Sequence, residues 1–195
     1  MPASEIRAFV RSTPPVEGVN DTVLGDTSQP VSAEELSALG WKLFTFGTDA
    51  QGQEKFNAMA KSQGYPEHDA LNLDFGRIDE VQHFKDFSDK LIFSNTTSPK
   101  GQFYLALSGS WFTDIEDTIN NRWIRLVVTA GDGVLIPPGA LYRCAVSEAD
   151  LKQVSLLLRL KADELSVHTF NGHYISGKDA EEHPSRATYS KSLGQ

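Results

Sequence analysis

Five imidazoles and a single thiol are the side chains of this 195-residue chain that could exchange protons or bind metal near neutral pH: His68, His83, His168, His173, His183 and Cys144. Histidine ordinarily titrates near 6.5, so one held over a substrate can act as a general base. His168 and His173, five residues apart near the C-terminus, are candidates for that role if the tail folds over a core. The plainer reading is that all five are solvated loop imidazoles. One cysteine cannot form an internal disulfide, and so little sulfur excludes a zinc framework. Cys144 reads as a small buried hydrophobe and not as a reactive thiol. The acidic run Asp114 to Asp117 reads as a solvated hairpin.

Composition limits what could surround such groups. With 39% hydrophobic residues, three Trp and eleven Phe, the chain can bury one good core, and its length calls for no second. The expectation is one domain over 1–195, with helices and strands to about residue 89, a barrel over about 90–160 and a tail over 161–195 packing on it. A net charge of −8 argues against a phosphate-backbone partner and against an anionic membrane surface, since both draw affinity from Lys and Arg. No apolar run approaches the roughly 20 residues of a membrane span, and Met1 to Arg7 lacks the apolar core of a secretory signal, so a cytosolic location is expected.

Periodicity sets the elements. Glu5 to Val10 could begin as a strand, and residues 13–30, rich in Pro, Gly, Asp and Asn, read as a long ordered loop. Ser32-Ala33-Glu34-Glu35 has the form of a capping box ahead of Leu36 and Leu39, with Gly40 as the stop. Trp41 to Phe46 reads as a strand. Glu54 to Ser62 reads as a helix with Phe56, Met59 and Ala60 on one face, and 79–88 as a third helix. Beyond Lys90 come short apolar or alternating runs: 91–93, 103–107, 111–115, 123–128, 134–136, 141–146 and 154–160. Gly, Asn, Asp and Pro separate them, which predicts a sandwich or closed barrel. After Lys161 the pattern fades into a turn-prone tail in which Phe170, Tyr174 and Tyr189 could dock.

Within the barrel half, Gly131-Asp132-Gly133 leads into Val134-Leu135-Ile136 and the turn Pro137-Pro138-Gly139, then Ala140-Leu141-Tyr142-Arg143. This resembles the second cupin motif, in which glycines open a strand and a Pro-x-Gly turn ends it. Ala33 to Gly40, Gly109-Ser110 with Asp114 to Asp117, and Arg122-Trp123-Ile124-Arg125 stand around it. In that order and spacing they resemble acireductone dioxygenase, a metal-dependent cupin, from about Glu5 to Leu193. The resemblance implies a mainly β fold, a cupin double-stranded β-helix or jelly-roll barrel, with short N-terminal α-helices.

In that family a His-x-His-x-x-x-Glu motif and a His three residues beyond the Pro-x-Gly turn hold Fe(II) or Ni(II). Imidazoles and a carboxylate suit such an ion. An ungapped comparison places Thr96, Ser98 and Gln102 at the first three positions and Tyr142 at the fourth. A one-residue slip gives Asn95, Thr97 and Gly101, which restores no His or carboxylate. The family's basic residue two beyond the Glu is replaced by Tyr104. The resemblance therefore implies a pocket without the usual metal and without another cofactor. Tyr142 would be donor or general acid, Gln102 would orient a carbonyl, and Thr96, Ser98, Tyr104, Phe103 and Trp111 would contact substrate. Trp111, Trp123 and Phe103 read as core or pocket-wall aromatics. Arg143, next to Tyr142 on a strand, should face the other way and make a structural salt bridge. The expected function is metal-independent isomerisation, cyclisation or dehydration of a small enolic or polyketide-like molecule by a chain expected to be monomeric. An inactive binding or regulatory protein, or a dioxygenase whose metal moved to His168, His173 or an Asp cluster, remains open.

Overall fold

The computed structural model describes residues 7–65, 70–76, 92, 94–161 and 173–195. The helix expected over 79–88, most of the strand expected over 91–93, and His68, His83, His168 and Phe170 lie outside them.

Two antiparallel sheets face one another. One has six strands in the order β1 (Ala8–Val10), β7 (Arg122–Thr129), β6 (Ser110–Asp117), β9 (Leu141–Ala145), β4 (Thr96–Thr97) and β11 (Ile175–Ser176). The other has β2 (Lys42–Thr45), β8 (Asp132–Ile136), β5 (Gln102–Ser108), β10 (Ser155–Leu160) and β3 (Ala70–Asp74). This is the expected mainly β jelly roll. β3, β4 and β11 are additions to the sequence reading; the last two are only two residues each, too short for alternation to register.

Among the described residues two helices precede the barrel strands, α1 (Ala33–Ala38) and α2 (Ala50–Ser62). The α1 capping box forms in both directions, Glu35 N–H donating to Ser32 Oγ at 3.2 Å and Ser32 N–H to the Glu35 carboxylate at 2.9 Å. α2 starts four residues earlier than its apolar face predicts. Asp49 caps the Gly52 N–H at 2.7 Å, while Gln51 to Gln53 carry no apolar signal.

Strand alternation divides the interior in two. From β5, Gln102, Tyr104 and Ala106 face the other sheet, whereas Phe103 and Leu105 face outward beneath α2, where Phe103 meets Phe56 at 4.7 Å between ring centroids. Facing β5 from the six-stranded sheet, Tyr142 pairs with Ile115, and two residues along, Cys144 pairs with Thr113.

The outer face of the six-stranded sheet is charged and covered. Asp114 lies opposite both Arg125 and Arg143, and all three are buried. Residues 13–30 cross this face as a strap. Arg143 donates to Val16 O and, at 3.0 Å, to Glu17; Arg125 donates to Val23 O and, at 3.0 Å, to Asp21 O. Arg143 thus has the structural role expected. The acidic run does not match its reading: Asp114 and Asp117 are buried in β6, because their charges are matched by Arg11, Arg122 and Arg125.

Among the described residues three more helices follow: α3 (Glu148–Leu151), α4 (Lys178–Glu181) and α5 (Pro184–Ser192). The last two stand where the sequence shows only turns. α5 has Pro184 in its first turn, and the His183 ring nitrogen accepts the Ser185 N–H. Tyr189 is buried and donates to Leu39 O at 2.8 Å, which ties the tail to α1.

Candidate active site

Between the sheets lies a cavity of about 50 Å³. Leu73, Phe75, Leu156 and Leu158 wall one side, Trp111, Tyr142 and Cys144 the other. A water needs at least about 10 Å³ of such space, so the cavity has room for a few waters or one slender apolar molecule.

Polar groups enter these walls as a connected trio. Gln102 Nε2 donates to Tyr142 Oη at 2.9 Å, and Tyr174 Oη donates to Gln102 Oε1. An amide oxygen only accepts and an amide nitrogen only donates. Whichever way the amide is turned, it uses the hydrogen of one phenol and the oxygen of the other. One phenolic hydrogen is therefore left unused within the trio. Burial holds both Tyr142 and Tyr174 well above the ordinary phenol range, so both stay protonated. Burial likewise pushes the Cys144 thiol up to about 12. The cavity thus presents neutral hydrogen-bond donors and neither a thiolate nor a phenolate.

One layer deeper, Tyr104 lines the same cavity from β5, and Thr113 faces Cys144. Both are buried, with the Tyr104 hydroxyl facing Thr113 and Trp111 and the Thr113 hydroxyl facing the Cys144 thiol as well.

The sequence candidates separate. Gln102, Tyr142, Tyr104 and Trp111 meet at the cavity. Phe103 does not: alternation turns it to the outer core, which is the core reading of this aromatic and not the pocket-wall one. Thr96, although paired with Tyr142 in the ladder, does not line the cavity and donates to Ser94 O at 3.1 Å. Ser98 is also absent from the walls, and its Oγ lies 2.6 Å from His173 Nε2. Trp123 lies outside the barrel interior, on a cleft of about 530 Å³ with Arg11 and Arg122. That cleft is roomier, but Arg11 is ion-paired with Asp114 and Asp21, and Arg122 with Asp117 and Glu35. Of the alternative register, Asn95 bonds Glu17 and Glu181, and neither it nor Thr97 nor Gly101 lines the cavity.

Two polar wall residues escaped the sequence reading as site residues. Cys144 follows Tyr142 by two, so the strand period could have placed it there. Tyr174 comes from the tail, and only its aromatic character among polar neighbours marked it as able to dock.

His173 is buried, not solvated. Its Nε2 is also 3.0 Å from Gly101 O, and since a carbonyl only accepts, Nε2 carries the proton. Burial foremost lowers its pKa to about 4, against the opposing effect of the Gly101 hydrogen bond. An unfolded imidazole titrates near 6.5. Between these values the unfolded chain binds more protons. The contribution of His173 is therefore complete above about pH 6.5 and is lost as pH falls towards 4. Urea midpoints at pH 7 and 4.5 should fall less in His173→Gln than in the parent protein. Parallel losses would remove the histidine from the account.

The donor set at the four positions does not fit Fe(II) or Ni(II). Both polar atoms of the Gln102 amide are engaged by phenols, Tyr142 is a neutral phenol, and the Ser98 hydroxyl lies against an imidazole that is already protonated on the facing nitrogen. Among the described residues no group of three or more His, Cys, Asp and Glu side chains could hold a metal ion.

No protein-family model matches the chain. Curated relatives do. Acireductone dioxygenase 2 of Coprinopsis cinerea is 26% identical over 166 residues, covering 84% of this chain and 76% of its own. Acireductone dioxygenase 1 of the same organism is 26% identical over 171 residues, covering 87% and 89%. The acireductone dioxygenase of Ixodes scapularis is 27% identical over 174 residues, covering 87% and 86%. Among solved structures, acireductone dioxygenase from Bacillus anthracis with cadmium ion in its active center aligns with a TM-score of 0.52 at 13% identity. That alignment covers 68% of this chain and 84% of the other, and it supports the fold.

Proposed function

We propose that this chain, which belongs to the acireductone dioxygenase family, uses its barrel cavity as a metal-independent site for a small, mainly apolar molecule bearing a carbonyl or enol oxygen. The observation that carries this reading is the Tyr174–Gln102–Tyr142 trio set in apolar walls, with one phenolic hydrogen to spare. An apolar pocket with a few convergent polar groups is the usual form of a small-molecule site.

A neutral donor aimed at a carbonyl oxygen stabilises the negative charge that grows there during proton transfer. Tyr142 is the donor we assign, with Gln102 fixing its ring and Tyr174 completing the orientation of the amide. This favours cyclisation or dehydration, in which the substrate's own groups do the bond making and the protein steadies an oxygen. Isomerisation through abstraction of a proton next to the carbonyl calls for a base, and the described walls contribute Gln102, three phenols and an un-ionised thiol. The same observation favours a second reading, a binding protein that leaves its ligand unchanged.

The test uses chelator-treated protein. Small ketones and enones are screened for a rise in unfolding temperature, and hits are followed by NMR for conversion. We expect binding without added metal, weakened about tenfold in Tyr142→Phe, the worth of one hydrogen bond of about 1.4 kcal/mol. Conversion marks an enzyme and an unchanged ligand marks a binding protein. Binding or turnover that appears only with Fe(II) or Ni(II) would overturn the reading.

A further inference from the structure

Tyr174 enters the trio from the tail, and the ladder beside it is short: β11 has two residues, with Ile175 opposite Thr97 and Ser176 opposite Thr96. Two rungs hold a neighbouring side chain loosely, because so short an element opens at little cost. The residue before Tyr174 supplies a firmer hold. His173 is buried, and its Nε2–H is shared between Gly101 O at 3.0 Å and Ser98 Oγ at 2.6 Å. Both acceptors belong to one tightly bonded turn: Ser98 O accepts the Gly101 N–H at 3.1 Å and the Gly139 N–H at 3.0 Å, and a Cβ on Gly101 would lie 2.8 Å from Ile136 O. Two neighbours in the tail thus bond two neighbours at the start of β5, His173 to Gly101 and Tyr174 to Gln102. The His173 ring also meets the Tyr174 ring edge to face, 5.4 Å between centroids.

We propose that His173 is a positioning residue which, by seating Tyr174 on the Gln102 amide, makes the cavity select ligands that only accept hydrogen bonds, carbonyl compounds over the matching alcohols. This rests on the reading of the cavity as a small-molecule site. The argument is one of counting. With Tyr174 donating to Gln102 Oε1 and Gln102 Nε2 donating to Tyr142 Oη, both polar atoms of the amide are engaged, and a phenolic hydrogen is what remains for a ligand. A ketone takes that hydrogen and needs nothing more. An alcohol takes it too, but leaves its own hydrogen facing apolar walls, which costs free energy that the ketone is spared. Without Tyr174 the Gln102 oxygen turns to the cavity as an acceptor, and the alcohol's hydrogen has a partner. The other polar groups leave this count unchanged, since the Tyr104 hydroxyl faces Thr113 and Trp111 and the Thr113 hydroxyl faces the Cys144 thiol.

The experiment compares 2-pentanone with 2-pentanol, which share a carbon skeleton and differ in whether the oxygen carries a hydrogen. Titration calorimetry is run on the full chain and on Tyr174→Phe, His173→Leu and His173→Gln, with unfolding temperature as the check on each fold. We expect the parent protein to bind the ketone about tenfold more tightly than the alcohol. Tyr174→Phe should bring that ratio close to one. His173→Leu should do the same, although residue 173 does not line the cavity. His173→Gln, whose side-chain N–H can reach Gly101 O, should restore the preference. His173→Asn, too short for that reach, is the second route to the loss should the leucine protein not fold. A merely structural histidine would weaken both ligands alike and leave their ratio as it was, and that result, or a preference lost in Tyr174→Phe alone, would overturn the positioning role. Equal binding of ketone and alcohol by the parent protein would overturn the selectivity and leave the small-molecule site standing. Failure of both to bind would overturn the small-molecule reading, and the role of His173 with it.

Discussion

Replacing Asp114 with alanine is expected to remove about 3–5 kcal/mol of stability, the largest loss from any single carboxylate of this chain. Asp114 is fully buried, and its two oxygens take Arg125 Nε at 2.7 Å, Arg125 Nη2 at 2.8 Å and Arg11 Nη1. A bidentate pair of this kind is strong because the planar guanidinium matches the carboxylate fork. Arg125 and Arg11 are themselves almost wholly buried, with side-chain exposures of 2% and 8%. Truncation would strand both cations, with Asp21, at the half-exposed edge, as the carboxylate left to them. The effect reaches beyond β6, because Arg125 also holds the strap through Val23 O and Asp21 O. Thermal unfolding should shift down by about 10 °C for a chain of this size, and limited proteolysis should open residues 13–30 first. A loss below about 1 kcal/mol would mean that solvent reaches this cluster and that the arginines do not need the aspartate.

How far the sequence reveals this molecule depends on which physical signal each part emits. Alternation over five or more residues made β5 to β10 visible, and the capping box announced α1. α5 has no comparable signal, since its one buried residue, Tyr189, gives no periodicity in a nine-residue helix. The site divides in the same way. Tyr142 and Gln102 were found by position in a family motif, and the alternation of their strands keeps them on one face. The same alternation, applied to Gln102 and its neighbour, sends Phe103 outward, and so decides between its core and pocket-wall readings. The pairing of Ser98 with His173 was not legible there, because it joins residues 75 apart through a tail whose path no local pattern fixes. Asp114 was misread for a related reason. Four residues that look like a polar turn are a strand when cations from elsewhere in the chain come to meet them.

The second large effect is expected at the turn that first marked the barrel. Gly139 has φ +78, a conformation that costs an L-residue roughly 1 kcal/mol, and a Cβ there would lie 2.3 Å from Ser185 O and 3.1 Å from Tyr189 Cβ. The nearest contact is backbone, so a side-chain rotation cannot relieve it. Gly139 is also bonded on both sides, its N–H to Ser98 O at 3.0 Å and its carbonyl oxygen to Arg186 Nη1 at 3.0 Å. In Gly139→Ala the helix α5 must back away, which loosens the buried Tyr189 and its bond to Leu39 O. We expect a total loss of about 3 kcal/mol, in the upper range for single substitutions that strain the backbone. Gly18→Ala is the control, since Gly18 has φ +74 with nothing within 4 Å of the added carbon. Its loss should stay near 1 kcal/mol, the cost of the conformation alone. The difference between the two proteins, read from urea midpoints, isolates the price of separating α5 from the barrel. Because Tyr142 lies three residues beyond Gly139, ligand affinity measured in the same alanine protein should fall as well. Equal losses at Gly18 and Gly139 would show that the tail follows the turn freely, and that the cavity does not depend on where α5 rests.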